Sequence, residues 1–110
     1  MTKILVVEDE APLRESIVDT LSFEGYEVVQ AEDGRKGLTC AQVEQPDLVV
    51  CDIAMPELNG YELLLKLRED PETATLPFIF LTARADRPFM RHGMELGADD
   101  YLTKPFTHAD

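Results

Sequence analysis

The chain has 110 residues, enough for one domain with a real core and too few for two. Hydrophobic residues at 45% and charged residues at 29% are the balance of an ordinary soluble globular protein. Ten Lys and Arg against 22 Asp and Glu leave a net charge of −12, a surface that repels nucleic acid and anionic membrane and so argues against DNA binding through nonspecific charge by this segment.

In chain order, residues 4–7 form a short apolar run without the basic flank and long apolar core of a signal peptide, and they read as a first strand. Leu13, Ile17, Val18 and Leu21 then share one helical face, with Pro12 tolerated in the first turn and Gly25 suited to the C-terminal cap. Residues 28–31 give a second strand. Leu38, Ala41 and Gln42 suggest a second helix, begun near Gly34 and stopped before Pro46. Residues 48–51 form a third strand, continuously apolar as in a parallel sheet covered on both faces. Asn59, with Glu62 three positions on, opens a third helix carrying Leu63, Leu64 and Leu67. Residues 78–81 form a fourth strand, Asp86 caps a helix with Met90, Met94 and Leu96 that Gly97 ends, and residues 101–103 form a weaker fifth strand. The pattern βαβαβαβαβ predicts a doubly wound α/β fold with right-handed crossovers, although periodicity does not give the strand order. No stretch is long and apolar enough to span a bilayer, and the expected location is cytoplasmic. Cys40 and Cys51 form no metal-ligand spacing and read as small buried residues.

Ligands of open α/β sheets gather at the carboxyl ends of the strands. Those ends carry Glu8, Asp9 and Glu10 after strand one, Asp52 after strand three, Thr82-Ala83 after strand four and Lys104-Pro105 after strand five. Any one acid in a loop is ordinarily just solvated; the coincidence at four strand ends is what points to a site. Crowded carboxylates favour a bound cation, and hard oxygen ligands with room for water suit magnesium. A carboxylate such as Asp52 can serve as a nucleophile towards a phosphoryl group, giving an aspartyl phosphate. Lys104 offers a point charge and Thr82 a hydroxyl for the phosphoryl oxygens, while the small Ala83 leaves access.

Five motifs stand in order: Ile4-Leu5-Val6-Val7-Glu8-Asp9-Glu10, residues 47–52, Met55-Pro56 with Gly60, Leu81-Thr82-Ala83, and Gly97-Ala98-Asp99-Asp100-Tyr101-Leu102-Thr103-Lys104-Pro105-Phe106. Along its whole length the chain resembles the receiver domain of two-component response regulators. The resemblance implies a flavodoxin-like five-stranded sheet of order 2-1-3-4-5, with residues 1–110 as one receiver domain. It implies a signalling phosphoacceptor rather than a turnover enzyme, with Asp52 taking phosphate from the phosphohistidine of a sensor histidine kinase or phosphotransfer protein. Glu8, Asp9, Asp52 and the backbone carbonyl of Ala54 would hold magnesium, with manganese as a substitute. Thr82 and Lys104 would contact the phosphoryl group, and Thr82 and Tyr101 would form the switch that controls an output domain or partner. The bond before Pro105 resembles the family's cis peptide. Glu8 stands where many members have Asp. A fifth helix is expected after strand five, and only residues 106–110 follow Pro105, so the expectation is a missing or truncated helix, with marginal stability or self-association as a homodimer in consequence; the alternative is an abbreviated version of a longer protein with an ordinary fifth helix.

Competing readings are weaker. Metal-dependent phosphohydrolases usually show a second acid two residues beyond the first, and here that position is Ala54. A nucleotide or flavin site needs a glycine- or hydroxyl-rich loop after strand one, where Glu8-Asp9-Glu10 would repel a phosphate lacking a metal. A docking module without phosphorylation would not need the full set of acids, Thr and Lys. Asp99 and Asp100 precede strand five and so belong to the opposite pole, where they read as turn residues. His92 and His108 lack partners at metal or catalytic spacing, and Met90 and Met94 read as a packing stripe.

Overall fold

Side chains along the apolar runs alternate between two helical layers, as the two-residue period of a strand requires. The computed structural model describes residues 1–82 and 98–103, with side chains described for residues 1–81, 98 and 99. The elements are β1 (Lys3–Val7), α1 (Ala11–Phe23), β2 (Glu27–Ala31), α2 (Gly34–Glu44), β3 (Leu48–Cys51), α3 (Gly60–Glu69), β4 (Phe78–Thr82) and β5 (Asp100–Thr103). The strands pair in parallel in the order β2-β1-β3-β4-β5, the order expected from the resemblance. Leu5, Val7, Val49, Cys51, Phe78 and Phe80 bury against Ala41 of α2 and Leu63, Leu64 and Leu67 of α3. Ile4, Val6, Val50 and Leu81 turn the other way, onto Ile17, Leu13, Val18 and Leu21 of α1.

Local chemistry sets the helix limits. Gly25, at φ +97°, follows α1 and donates its N–H to Ser22, while Tyr26 N–H reaches back to the Leu21 carbonyl. This paired closure is what a glycine just past a helix end provides. Asp33 caps α2 by accepting from Lys36 N–H at 2.8 Å, and Gln45 ends it in the left-handed region. At α3, Asn59 Oδ1 accepts from Glu62 N–H at 2.9 Å and Glu62 Oε1 accepts from Asn59 N–H at 3.0 Å, the reciprocal capping expected there. The helix expected over Asp86 to Gly97 and the residues on which the fifth-helix expectation bears, 104–110, lie outside the described residues. Among the described residues, no helix is long and apolar enough to cross a membrane.

Candidate functional site

Two ladder bonds continue past the strand ends and set the spacing of the site. Asp52 N–H donates to the Val7 carbonyl at 3.0 Å, and Glu8 N–H donates to the Ala31 carbonyl at 3.1 Å. With Val7 opposite Cys51 in the β1–β3 register, Glu8 and Asp52 leave neighbouring strands side by side. Candidate ligand oxygens of Glu8, Asp9 and Asp52 all lie within 4.8 Å of one another. Glu8 and Asp52 are buried, at 1% and 7% exposure, whereas Asp9 is exposed, so the cluster has a sealed floor and an open rim.

Backbone donors orient both buried carboxylates. Asp52 Oδ1 accepts from Ile53 N–H at 2.7 Å, and Glu8 Oε2 accepts from Glu10 N–H at 3.3 Å. The chain leaving Asp52 is held in turn by α3, because Gly60 N–H donates to the Ile53 carbonyl at 2.9 Å. A Cβ on Gly60 would lie 2.3 Å from the Asp52 carbonyl oxygen and 3.0 Å from Ile53 Cα. Only glycine lets the start of α3 approach the loop this closely. Behind the acids, burial first, then the charges of Asp52 and Glu8, push the Cys51 thiol well above its ordinary value. It stays protonated and donates to the Asp52 carbonyl at 3.0 Å.

Three like charges at this separation repel, and a divalent cation offsets that repulsion. The donors are hard carboxylate oxygens on two strand ends, and the open rim leaves room for water or phosphate oxygens, which suits magnesium. The residues present therefore fit that ion.

Of the residues anticipated from sequence, Glu8, Asp9 and Asp52 come together as one cluster, and Glu10 is exposed beside them. Ala54 is exposed in the loop between β3 and α3. Thr82 ends β4 at the same sheet edge, and Tyr101 of β5 stands opposite Phe80 of β4; the side chains of Thr82 and Tyr101 lie outside the described residues. Ala83, Lys104, Pro105, both histidines, Met90 and Met94 also lie outside them. Asp99 sits at the opposite pole, as expected, but it clamps two strands: its carboxylate accepts from Phe78 N–H at 2.7 Å and stands 3.6 Å from Arg68. The residue that sequence reasoning missed is Arg14, whose Nη1 donates to the Glu8 carbonyl at 2.8 Å. A basic residue one helical turn past three acids was the available signal.

A family model described as the response regulator receiver domain matches residues 4–110. The probable transcriptional regulator ycf27 of Cyanophora paradoxa is 49% identical over 105 residues, covering 96% of this chain and 43% of the relative. The phosphate regulon transcriptional regulatory protein PhoB of Pseudomonas aeruginosa is 41% identical over 104 residues, covering 94% of this chain and 45% of its own length. The chain thus spans less than half the length of these curated relatives. Among solved structures, the chemotaxis protein CheY4 of Vibrio cholerae superposes with a TM-score of 0.93 at 34% identity, over 97% of this chain and 89% of that one. A putative response regulator from Chloroflexus aurantiacus gives a TM-score of 0.91 at 38% identity, over 96% and 87%. With the flavodoxin-like strand order and the acidic cluster at its carboxyl edge, these matches establish that the chain belongs to the receiver domain family of two-component response regulators.

Proposed function

We propose that this receiver accepts one phosphoryl group on Asp52, with magnesium held by Glu8, Asp9, Asp52 and the carbonyl of Ala54. The observation that carries this reading is the three-carboxylate cluster, in which Asp52 is buried, fixed by the Ile53 N–H and open to the rim through Asp9. An Asp52 carboxylate oxygen forms the new bond to phosphorus as the bond from phosphorus to a histidine nitrogen of the donor kinase, or of a phosphotransfer protein, breaks. The imidazole leaves with the electron pair and takes a proton from solvent. Bound magnesium would supply neutralisation of charge on the phosphoryl oxygens. Glu8 and Asp9 set the position of that charge, and the buried floor under Asp52 excludes water from its inner side. Thr82 and Lys104 serve the remaining phosphoryl oxygens, and Thr82 with Tyr101 carries the change towards an output domain or partner protein. The protein acts as a signalling phosphoacceptor. In the test, the protein is exposed to a small acyl phosphate with and without magnesium, and intact mass is read. A gain of one phosphoryl group only with magnesium, and lost in Asp52→Asn, is the expected result. An undiminished gain in Asp52→Asn would overturn it.

A further inference from the structure

Both backbone polar groups of Glu8 are anchored, and by different means. Its N–H is held by the main chain of β2, through the Ala31 carbonyl at 3.1 Å. Its carbonyl accepts from Arg14 Nη1 at 2.8 Å, across the whole loop that carries Asp9 and Glu10. Arg14 is itself fixed at a second point, with Nε donating to Gln30 Oε1 on β2 at 3.1 Å. The guanidinium thus forms a brace from α1 to the end of β1 and the edge strand β2. Its donors lie in a rigid plane, so two fixed acceptors leave it little freedom. Arg14 N–H also donates to the Glu10 carbonyl at 2.9 Å, so the same residue closes the loop from its helical side.

We infer that Arg14 is a positioning residue for metal binding, holding the segment from Glu8 to Glu10 so that Glu8 and Asp9 meet Asp52. The inference rests on the magnesium reading above. It makes a prediction opposite in sign to simple electrostatics. A cation beside a cation site opposes metal binding, so a residue acting only through its charge would, when neutralised, tighten magnesium binding. A residue acting through its hydrogen bonds would, when removed, weaken it. Groups that orient ligands commonly change metal affinity by about 10–100-fold, and a brace acting through the backbone belongs at the lower end, about tenfold.

Magnesium titrations by calorimetry, well below the melting temperature, test this on the parent, Arg14→Met, Gln30→Ala and the double variant. Methionine keeps the apolar stem of Arg14, and Gln30 is exposed, so the second variant leaves folding intact even where the first does not. Arg14→Met should bind magnesium about tenfold more weakly, and Gln30→Ala should shift affinity in the same direction by a smaller factor, about twofold. Because Gln30 acts through Arg14, the double variant should match Arg14→Met alone. Binding in Arg14→Met equal to or tighter than the parent's would overturn the inference while leaving the metal reading intact. So would an unshifted Gln30→Ala, which decides the matter if Arg14→Met does not fold. A parent that binds no magnesium overturns both.

Discussion

Replacing Gly60 by alanine tests how the start of α3 fixes Asp52. The added Cβ would meet the Asp52 carbonyl oxygen at 2.3 Å, Ile53 Cα at 3.0 Å and Phe80 Cε1 at 3.0 Å. Two of these are backbone atoms, which cannot rotate away. Overpacking of this kind costs about 1–3 kcal/mol or more, and the better helix propensity of alanine returns at most about 1 kcal/mol. With a backbone contact at 2.3 Å placing the cost at the upper end, the net loss of roughly 2 kcal/mol corresponds to a fall of about 8 °C in Tm for a domain of this size. Gly25→Ala is the control: it forces a side chain into φ +97° with nothing within 4 Å, costs about 1 kcal/mol, and lies at the far end of α1. Circular-dichroism melts and magnesium titrations on both variants separate the effects. Both should lose stability, and only Gly60→Ala should lose magnesium affinity. Parent-like melting of Gly60→Ala, or equal loss of affinity in the two, would refute the reasoning.

Removing the α3 cap by Asn59→Ala should cost about 1 kcal/mol, read as a shifted urea midpoint at unchanged slope. Leu64→Ala, at a site with no exposed surface between α3 and the sheet, should cost about 2–5 kcal/mol in the same assay. The Cys51 thiol should resist alkylation in the native protein while the half-buried Cys40 reacts, as peptide mass mapping after brief labelling would show. Folding raises the Cys51 value above that of the unfolded chain, so its contribution is full at neutral pH and is lost as pH climbs. Above about pH 8.5 the parent should therefore lose up to about 1.4 kcal/mol per pH unit relative to Cys51→Ala, measured by urea unfolding across alkaline pH.

Elements with a strong local signal were legible in the sequence. The runs of β1 and β3 are apolar because both faces are covered, and the Asn59–Glu62 pair announced the start of α3. Strand order was not readable from periodicity, which carries no information on neighbours; it came from the family resemblance, and the sheet has that order. The acids of the site were legible because the fold places strand ends at one edge. What holds them there was not. Arg14 acts on a backbone carbonyl six residues away, so its place one turn past the acids hints at proximity without naming the acceptor, and Gly60 acts through its missing side chain, which leaves no pattern of residue types. Asp99 looked like a turn residue, yet its role depends on the N–H of Phe78, 21 positions earlier. The left-handed conformations of Gln45 and Glu57 were equally hidden, since neither residue type favours φ above zero.

Locating the phosphoryl group on the chain is the direct test of Asp52 as the acceptor. An acyl phosphate on a carboxylate is a mixed anhydride, which borohydride reduces to an alcohol, whereas an unmodified carboxylate is untouched. After brief exposure to a small acyl phosphate with magnesium, borohydride treatment and peptide mass analysis would locate the modified residue. Asp52 alone should be converted to homoserine, and no residue should be converted without magnesium. Conversion at Asp9 or another acid, with Asp52 unchanged, would contradict it.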